Sequence, residues 1–386
     1  MQKFWEIRGN FGFGCMRLPM SKCDHENNIY EVDYAEFSKM IEAFFAAGFN
    51  YFDTAHGYLE GASEVAVREC LAAKYPRDSY VLTDKLSKEF FSKEADIRPL
   101  FYSQLEACGV EYFDFYLMHA QGRKNYKAFK KCRAYETACE LKAEGRIRHI
   151  GISFHDTADV LEMILSEHPE IEIVQIQLNY VDYEDAAVQS KKLLEVCKKY
   201  DKPVIVMEPV KGGSLIRLPE EAQAVFDAVE PRINDAAYAI RFAAGCDPVI
   251  MTLSGMSNLE QMQDNLSFMR DFVPLNQTEL EAVRRVCDIF KKQDIIPCTG
   301  CSYCTAGCPR HIAIPNLFSC MNAKKVIDDW NQDYYYRVVY SSKGRRASDC
   351  LKCGKCEQAC PQNLEIRKLL EDVAVTFEED LTRHQN

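Results

Sequence analysis

Eight cysteines in the last quarter of the chain have the spacing that iron–sulfur clusters require. They form two runs of the pattern Cys-x2-Cys-x2-Cys-x3-Cys, each followed by proline. In bacterial proteins that bind two [4Fe–4S] clusters, three closely spaced cysteines hold one cluster and the fourth ligates the other. The sequence therefore predicts two [4Fe–4S] clusters, one held by Cys298, Cys301, Cys304 and Cys360 and the other by Cys350, Cys353, Cys356 and Cys308.

Zinc is the alternative metal for a set of four cysteines. Zinc ribbons use two separated Cys-x2-Cys knuckles, so the serial runs favour iron–sulfur clusters. The segment between the runs, residues 310–349, is longer than the spacer of a compact bacterial ferredoxin, and its pattern is helical from residue 316 onward. This region resembles the helical dicluster ferredoxin modules that are appended to larger oxidoreductases.

Four residues with acid–base side chains lie where short apolar runs end. Asp53 closes the run FNYFDT, and Tyr58 follows it five residues later. Lys85 closes YVLTDK, and His119 closes FDFYLMH. Each residue alone has an ordinary explanation as a cap, a packed ring or a solvated charge. Their joint occurrence at the ends of consecutive strands favours one shared catalytic site.

These runs belong to an alternation of β-rich and helical segments that extends to about residue 290. The helical segment at residues 34–47, for example, places apolar residues three or four positions apart on one face. Eight such units predict an α/β fold with a (β/α)8 barrel, in which catalytic side chains lie at the C-terminal ends of the strands. The candidate strands cover residues 11–18, 49–54, 80–85, 113–119, 147–153, 171–177, 203–208 and 248–255.

Length and composition fit this organisation. The chain has 386 residues, 47% of them hydrophobic, which suits one large domain and one small one. We predict the barrel in residues 1–292 and a mostly helical dicluster ferredoxin domain in residues 293–386. Because 47 basic residues face 58 acidic ones without a long basic stretch, nucleic acid is not expected as a partner. The sequence has no run of about 18 apolar residues and no leader-like start, so we expect no membrane association and a cytoplasmic location.

Over residues 5–290 the sequence resembles the aldo-keto reductase superfamily. FDTAHGY, DKL, DFYLMHA and HIGIS match its motifs in order and spacing. The resemblance implies an oxidoreductase that reduces a small-molecule carbonyl compound, or oxidises an alcohol, by hydride transfer with NADPH or NADH. A phenol with a pKa near 10 is a poor acid–base group at neutral pH unless an adjacent ammonium favours its ionised form. The implied roles are proton donor for Tyr58, tuning cation for Lys85, lysine partner for Asp53, and orientation of the carbonyl oxygen for neutral His119.

The resemblance also implies a nucleotide site after the last strand. Ser257 and Glu260 form a capping-box pattern that opens a helix, and a helix N-terminus suits a phosphate. Gly255 and Gln261 stand where many members have a lysine and an arginine for the 2′-phosphate, so the choice between NADH and NADPH stays open. No Gly-x-Gly-x-x-Gly follows a strand, which argues against a Rossmann domain. The implied contacts are Ser254, Gly255, Met256, Asn258, Gln261 and Asn265 for the adenosine phosphate, and Ser153 and Gln175 for the carboxamide.

The two predicted halves handle electrons differently. Hydride transfer moves two electrons together, whereas each cluster passes one, so a converter such as a flavin has to join them. The sequence contains no flavin motif. The clusters could be structural, could exchange electrons with a ferredoxin or flavoprotein partner, or could communicate with a flavin near the barrel mouth. The barrel could also use a different cofactor, or bind a nucleotide as a sensor without turnover.

Overall fold

The backbone follows the predicted alternation of strands and helices. The structure is a computed structural model, and it describes residues 4–24, 29–185, 188–292, 296, 298, 303–327, 331–341, 344–360 and 364–378. In chain order the strands are β1 (Phe11–Gly14), β2 (Met20–Asp24), β3 (Ile29–Val32), β4 (Tyr51–Asp53), β5 (Val81–Leu86), β6 (Phe113–Gln121), β7 (Ile147–Phe154), β8 (Ile173–Gln177), β9 (Val204–Met207) and β10 (Val249–Gly255).

Eight of these strands pair in parallel and close into a barrel. Their order around it is β1-β10-β9-β8-β7-β6-β5-β4. All eight predicted strands are therefore confirmed. The first is shorter than predicted, because Cys15–Arg17 forms a 3-10 turn directly after β1. β2 and β3 pair antiparallel in a separate hairpin that was not predicted.

Helices follow the barrel strands and continue to the C-terminal part of the chain. In the first part they are α1 (Tyr34–Ala46), α2 (Ala62–Val67), α3 (Ile97–Cys108), α4 (Arg123–Lys131), α5 (Ala134–Ala143), α6 (Ala158–Glu167), α7 (Ser190–Lys199), α8 (Glu220–Asp227), α9 (Asp235–Ala244), α10 (Leu259–Met269) and α11 (Gln277–Lys292). They continue with α12 (Tyr303–Ala306), α13 (Ile314–Ile327), α14 (Asn331–Tyr334), α15 (Lys355–Gln358) and α16 (Ile366–Glu378). Among the described residues, no helix is long and apolar enough to span a membrane.

Helix α1 illustrates how local sequence sets an element of the barrel. The carboxylate of Asp33 caps its first turn by accepting the backbone N–H groups of Ala35 and Glu36, each at 3.0 Å. Its predicted apolar face is buried, as the periodicity required. The buried residues are Phe37, Met40, Ile41 and Phe44.

The inner face of the barrel is packed with large side chains and leaves no room beside β7. A Cβ added to Gly151 would lie 2.6 Å from side-chain atoms of Leu117 and Ile173 and 2.8 Å from the Ile173 carbonyl oxygen. The glycine of the HIGIS motif is therefore explained by close approach of the neighbouring strands. The inner cluster comprises Phe4, Tyr51, Val81, Phe115, Leu117, Ile173, Ile205, Met251 and Leu253.

The chain divides into two compact units. One comprises residues 1–179, 191–210 and 234–276, and the other comprises residues 180–190, 211–233 and 277–386. The second unit has a core of its own, in which the rings of Tyr336 and Phe377 stack with centroids 4.5 Å apart. Helix α13 confirms the helical character expected between the cysteine runs. The domain division at residue 292 stays a prediction.

Candidate functional site

The four predicted catalytic side chains meet at the C-terminal ends of β4, β5 and β6. Lys85 is at their centre, with its Nζ 2.5 Å from Asp53 Oδ1 and 3.2 Å from Tyr58 Oη. The same ammonium donates to the Thr54 carbonyl oxygen at 2.7 Å. The rings of His119 and Tyr58 lie edge to face with centroids 6.1 Å apart. The strands thus bring together the residues that the sequence predicted from three separate segments.

Charge and burial act against each other at Lys85 and Tyr58. Burial alone lowers the pKa of Lys85, but the Asp53 carboxylate and the Tyr58 phenol outweigh it and hold that pKa above its ordinary value. Burial also raises the pKa of Tyr58 above 10.0, and the Lys85 ammonium opposes that rise without cancelling it. Tyr58 is therefore a protonated phenol at neutral pH, beside a cation that favours its ionised form.

His119 is a neutral imidazole in this site. Its pKa is well below 6.5, first because the ring is buried and then because Lys85 and His155 repel a second positive charge. His119 Nδ1 lies 2.5 Å from the hydroxyl of Ser87, which lies just past the end of β5. Ser87 was not among the predicted site residues, although its position two residues after Lys85 is a sequence signal for a strand-end contact.

The two residues assigned to the carboxamide are neighbours on adjacent strands. Ser153 on β7 is in register with Gln175 on β8, and both side chains are buried. Gln175 Nε2 donates to Asp53 Oδ2 at 2.9 Å, which joins it directly to the catalytic group. Ser153 Oγ accepts the backbone N–H of Ala120 at 2.8 Å. These contacts leave both residues at the C-terminal end of the barrel, next to Lys85 and its partners.

The six residues assigned to the adenosine phosphate cluster where β10 ends and α10 begins. Ser254 and Gly255 end β10, and Met256 is buried immediately after them. Asn265 Nδ2 donates to Ser254 Oγ at 2.8 Å. The remaining two residues, Asn258 and Gln261, lie at the start of α10.

The predicted capping box was placed one residue too early. The helix N-cap is Asn258, whose Oδ1 accepts the Gln261 N–H at 2.8 Å. Ser257 instead donates its hydroxyl to the Arg17 carbonyl oxygen at 3.0 Å, and its N–H donates to Gln261 Oε1 at 2.8 Å. Asparagine caps a helix as well as serine does, so Asn258 could serve as the N-cap in place of Ser257.

Two charged residues at this helix start were missed by the sequence. Glu36 Oε1 accepts the N–H of Leu259, the first residue of α10, at 2.9 Å. Arg17 lies along Gly255, and its guanidinium is 3.6 Å from the Glu208 carboxylate. The Glu36 carboxylate thus occupies one N–H group at the start of α10 and places a negative charge there.

A buried polar network behind Lys85 was also missed. Asp84 Oδ1 accepts the Lys85 N–H at 2.7 Å, and Gln104 Nε2 donates to the Lys85 carbonyl oxygen at 3.0 Å. Glu64 hydrogen-bonds with Asp84 and lies 2.9 Å from His56 Nδ1. Burial raises the pKa of Glu64 to about 7 and that of Asp84 well above its ordinary value. The network fixes the main chain of Lys85 on both sides.

Cysteines of both runs surround a pocket in the second unit. Cys308 of the first run lines it together with Cys350, Cys353 and Cys356 of the second. This is the grouping expected when each fourth cysteine ligates the other cluster. The rest of the lining is mostly apolar, apart from the cationic Arg310, so the donor set fits an iron–sulfur cluster and its negative charge.

The other predicted cluster draws on residues that are only partly described. Cys304 is buried, and Cys298 and Cys360 are half-buried against the same hydrophobic core. Cys301 lies outside the described residues. The ligand assignment for both clusters stays a prediction.

Two family models match the chain. Residues 10–288 match the model of the Aldo/keto reductase family, and residues 297–365 match that of a 4Fe-4S dicluster domain. Among curated proteins, the NADH-specific methylglyoxal reductase of Escherichia coli (strain K12) is 29% identical over 185 residues. That alignment spans 44% of this chain and 54% of the length of the relative.

Solved aldo-keto reductases share the barrel fold. The holo form of such an enzyme from Bacillus halodurans has a TM-score of 0.57 and 21% identity, covering 72% of this chain and 91% of that one. An aldo-keto reductase from Klebsiella pneumoniae in complex with NADPH has a TM-score of 0.55 and 20% identity, with coverages of 72% and 90%. Since the family match spans the greater part of the sequence and the barrel agrees with it, this chain belongs to the aldo/keto reductase family and carries a 4Fe-4S dicluster domain.

Proposed function

We propose that the barrel reduces a small carbonyl compound to an alcohol, or catalyses the reverse reaction, by hydride transfer with a nicotinamide nucleotide. The observation that carries this proposal is the position of Lys85 between Asp53 and Tyr58, at 2.5 Å and 3.2 Å. A buried phenol next to a permanent cation is a proton donor whose conjugate base is stabilised where it forms.

Each side chain then has one task. The Tyr58 hydroxyl donates its proton to the carbonyl oxygen, and the Lys85 ammonium stabilises the phenolate that remains. Asp53 keeps the buried Lys85 charged. We assign the His119 proton to Nε2, from which it orients the carbonyl oxygen; Nδ1 would then accept the Ser87 hydroxyl. Ser153 and Gln175 would hold the nicotinamide, which would supply or accept the hydride when bound.

We propose NADH as the preferred nucleotide. The E. coli relative is named as NADH-specific, whereas the Klebsiella structure contains NADPH, so the relatives alone leave both open. The carboxylate of Glu36 at the start of α10 supports NADH, because it repels a 2′-phosphate there. Gly255 and Gln261 offer no compensating charge, and Arg17 is already beside Glu208.

For the second part of the chain, residues 293–386, we propose electron transfer through two [4Fe–4S] clusters. The match to a dicluster domain and the pocket shared by Cys308 and three cysteines of the second run support this role. A ferredoxin or flavoprotein partner would deliver or remove electrons singly, since each cluster holds one. No feature of the described residues supports a bound flavin.

Stoichiometric turnover tests the proposed reaction. The full chain is purified anaerobically with its clusters and is given NADH or NADPH together with methylglyoxal, a simple sugar or a quinone. We expect one nucleotide oxidised for each alcohol formed, with at least one of these carbonyl compounds. Nucleotide binding without any turnover would contradict the proposal and would favour a sensing barrel.

A further inference from the structure

One predicted ligand of the second cluster is exposed to solvent. Of the described ligand cysteines, Cys353 is exposed, whereas Cys304 and Cys356 are buried and the others are half-buried. Cys353 lines the pocket that Cys308 shares with the second run. Single electrons move between proteins where a redox centre comes close to the surface, so the loop that carries Cys353 is the natural point of exchange.

An apolar residue projects beside this exposed ligand. Leu351 is 55% exposed and lines the same pocket as Cys353. A lone exposed leucine is ordinary on a protein surface, but here it adjoins a predicted cluster ligand. The exposed Arg310 lines the pocket as well, and the exposed Lys355 follows two residues after Cys353. We call these four residues, Arg310, Leu351, Cys353 and Lys355, the exchange surface.

The charge around the exchange surface is opposite in sign to that of the whole chain. The chain has a net charge of −11, whereas residues 308–314 and 344–372 contain seven basic and five acidic residues. Four of those five carboxylates are in ion pairs: Arg346–Asp349, Lys352–Glu371, Arg367–Glu357 and Lys368–Glu365. Among the described residues, Arg310, Arg345 and Lys355 have no acidic partner within 4.0 Å. Apart from the negative charge of the cluster itself, the side chains around the exposed ligand therefore carry a small excess of positive charge.

We propose that the exchange surface docks a small acidic one-electron carrier protein. The inference rests on the proposed electron-transfer role of the clusters and adds the site and charge of the partner. In each encounter one electron passes from the reduced carrier to the oxidised cluster, or in the opposite direction, and neither a bond nor a proton changes place. Arg310 and Lys355 attract the acidic carrier, and Leu351 gives the contact its apolar centre.

Charge also argues against a second copy of this chain as the occupant. In a two-fold symmetric contact the same surface meets itself, so the basic residues Arg310 and Lys355 of one copy would lie opposite the basic surface of the other. Like charges placed opposite each other disfavour such a dimer. An acidic carrier meets no such repulsion.

The test measures binding of a defined probe to the cluster-loaded full chain. The probe is an oxidised plant-type [2Fe–2S] ferredoxin, a small protein with a net negative charge, and affinity is measured anaerobically at low and high salt. We expect Arg310→Glu and Lys355→Glu each to weaken binding roughly tenfold, as loss of a close charge pair does at interfaces. Leu351→Ala should weaken it by a smaller factor. Lys127→Glu is a matched charge reversal at an exposed position of α4, and it should leave the affinity within a factor of about two.

Two further measurements separate weakened docking from loss of the clusters. Iron content and the visible spectrum establish that each variant holds its clusters. If a charge reversal removes them, the salt dependence of wild-type binding still decides, because an electrostatic contact must weaken as salt rises. Absence of binding, or equal affinity for wild type and both charge-reversed variants, overturns the inference. Reduced methyl viologen, which needs no docking surface, tests the clusters separately: if it cannot reduce them, the proposed electron-transfer role fails instead.

Discussion

The charge of Lys85 organises the catalytic residues of the barrel. Its side chain has 0% exposure, so the ammonium is stabilised by Asp53, by the Thr54 carbonyl and by Tyr58 rather than by water. A buried cation of this kind is tolerable only when it is paired, and its loss would leave Asp53 as an unpaired buried anion. Burial is the first cause that lowers the pKa of His119 and keeps it neutral, and the charge of Lys85 adds to it. The roles that we propose for Tyr58 and His119 thus both depend on Lys85.

At the residue scale, Glu36 is expected to set the nucleotide preference. Replacing Glu36 with glutamine removes a negative charge from the start of α10 but keeps an acceptor for the Leu259 N–H. The ratio of kcat/KM for NADPH to that for NADH should rise roughly tenfold, which corresponds to about 1.4 kcal/mol. Glu42→Gln is the control and should not alter the ratio, because Glu42 is exposed on α1, the helix that also carries Glu36. An unchanged ratio in Glu36→Gln would show that Glu36 does not set the nucleotide preference.

Glu64 gives the folded protein a stability that depends on pH. Burial raises its pKa from 4.5 to about 7, so the folded state holds the proton more tightly than the unfolded state does. The resulting stabilisation is complete below pH 4.5 and is lost as the pH rises through about 7. The thermal midpoint of the wild type, relative to that of Glu64→Gln, should therefore fall over this range. Parallel midpoints for the two proteins would contradict the shift, and Glu42→Gln should follow the wild type throughout.

Some site residues could be predicted from the sequence and others could not, for a physical reason. Asp53, Tyr58, Lys85 and His119 follow apolar runs, and parallel strands bring their C-terminal ends together. Contacts between positions far apart in the sequence leave no such pattern. Glu36 and Leu259, for example, are 223 residues apart and form a hydrogen bond only in the folded barrel. The list of residues found only in the structure is Arg17, Glu36, His56, Glu64, Asp84, Ser87 and Gln104.

At the scale of elements, the strands were easier to predict than their ends. Barrel strands are covered on both faces and therefore have continuous apolar runs, which made all eight recognisable. Their boundaries depend on turns, as the 3-10 segment Cys15–Arg17 shows for β1. The start of α10 was displaced by one residue for a similar reason, since Ser257 and Asn258 can both cap a helix and tertiary contacts with Arg17 decide between them.

Close packing between β6, β7 and β8 predicts a stability effect at Gly151. A methyl group in Gly151→Ala would meet side chains of Leu117 and Ile173 and also a main-chain oxygen that cannot move aside. Overpacking of this kind should cost about 1–3 kcal/mol of unfolding free energy, measured by chemical denaturation. Gly14→Ala is the control, because its Cβ would make only ordinary contacts from 3.4 Å. Equal stability of the two variants would show that β7 has more room than the structure indicates.

At the scale of the whole molecule, the chain combines an aldo-keto reductase barrel, for which we propose two-electron chemistry, with a 4Fe-4S dicluster domain, for which we propose one-electron transfer. The first depends on a buried lysine and the second on cysteines from two sequence runs in another compact unit. The spacing of residues along the sequence was enough to predict both the strand-end residues of the barrel and the two cysteine runs. The sequence did not reveal which ligand lies near solvent, because the exposure of Cys353 depends on tertiary packing and not on the spacing of the cysteines.

Iron content tests which cysteines share a cluster. If Cys308 ligates the same cluster as Cys353, Cys308→Ala should lose about half of the iron, and adding Cys353→Ala should lose no more. Adding Cys298→Ala instead should remove the second half as well. The reverse pattern would place Cys308 with its own run. Cys23→Ala, which removes an exposed thiol outside the two runs, should keep all of the iron.

Hydride transfer in a single turnover tests the central claim, that Tyr58 donates the proton in carbonyl reduction. The nicotinamide absorbance is followed after NADH-bound protein is mixed anaerobically with methylglyoxal, for the wild type, Tyr58→Phe and the exposed control Tyr102→Phe. We expect Tyr58→Phe to bind NADH normally and to transfer hydride roughly 10²–10⁴-fold more slowly. Tyr102→Phe should match the wild type. Hydride transfer at the wild-type rate in Tyr58→Phe would contradict the account.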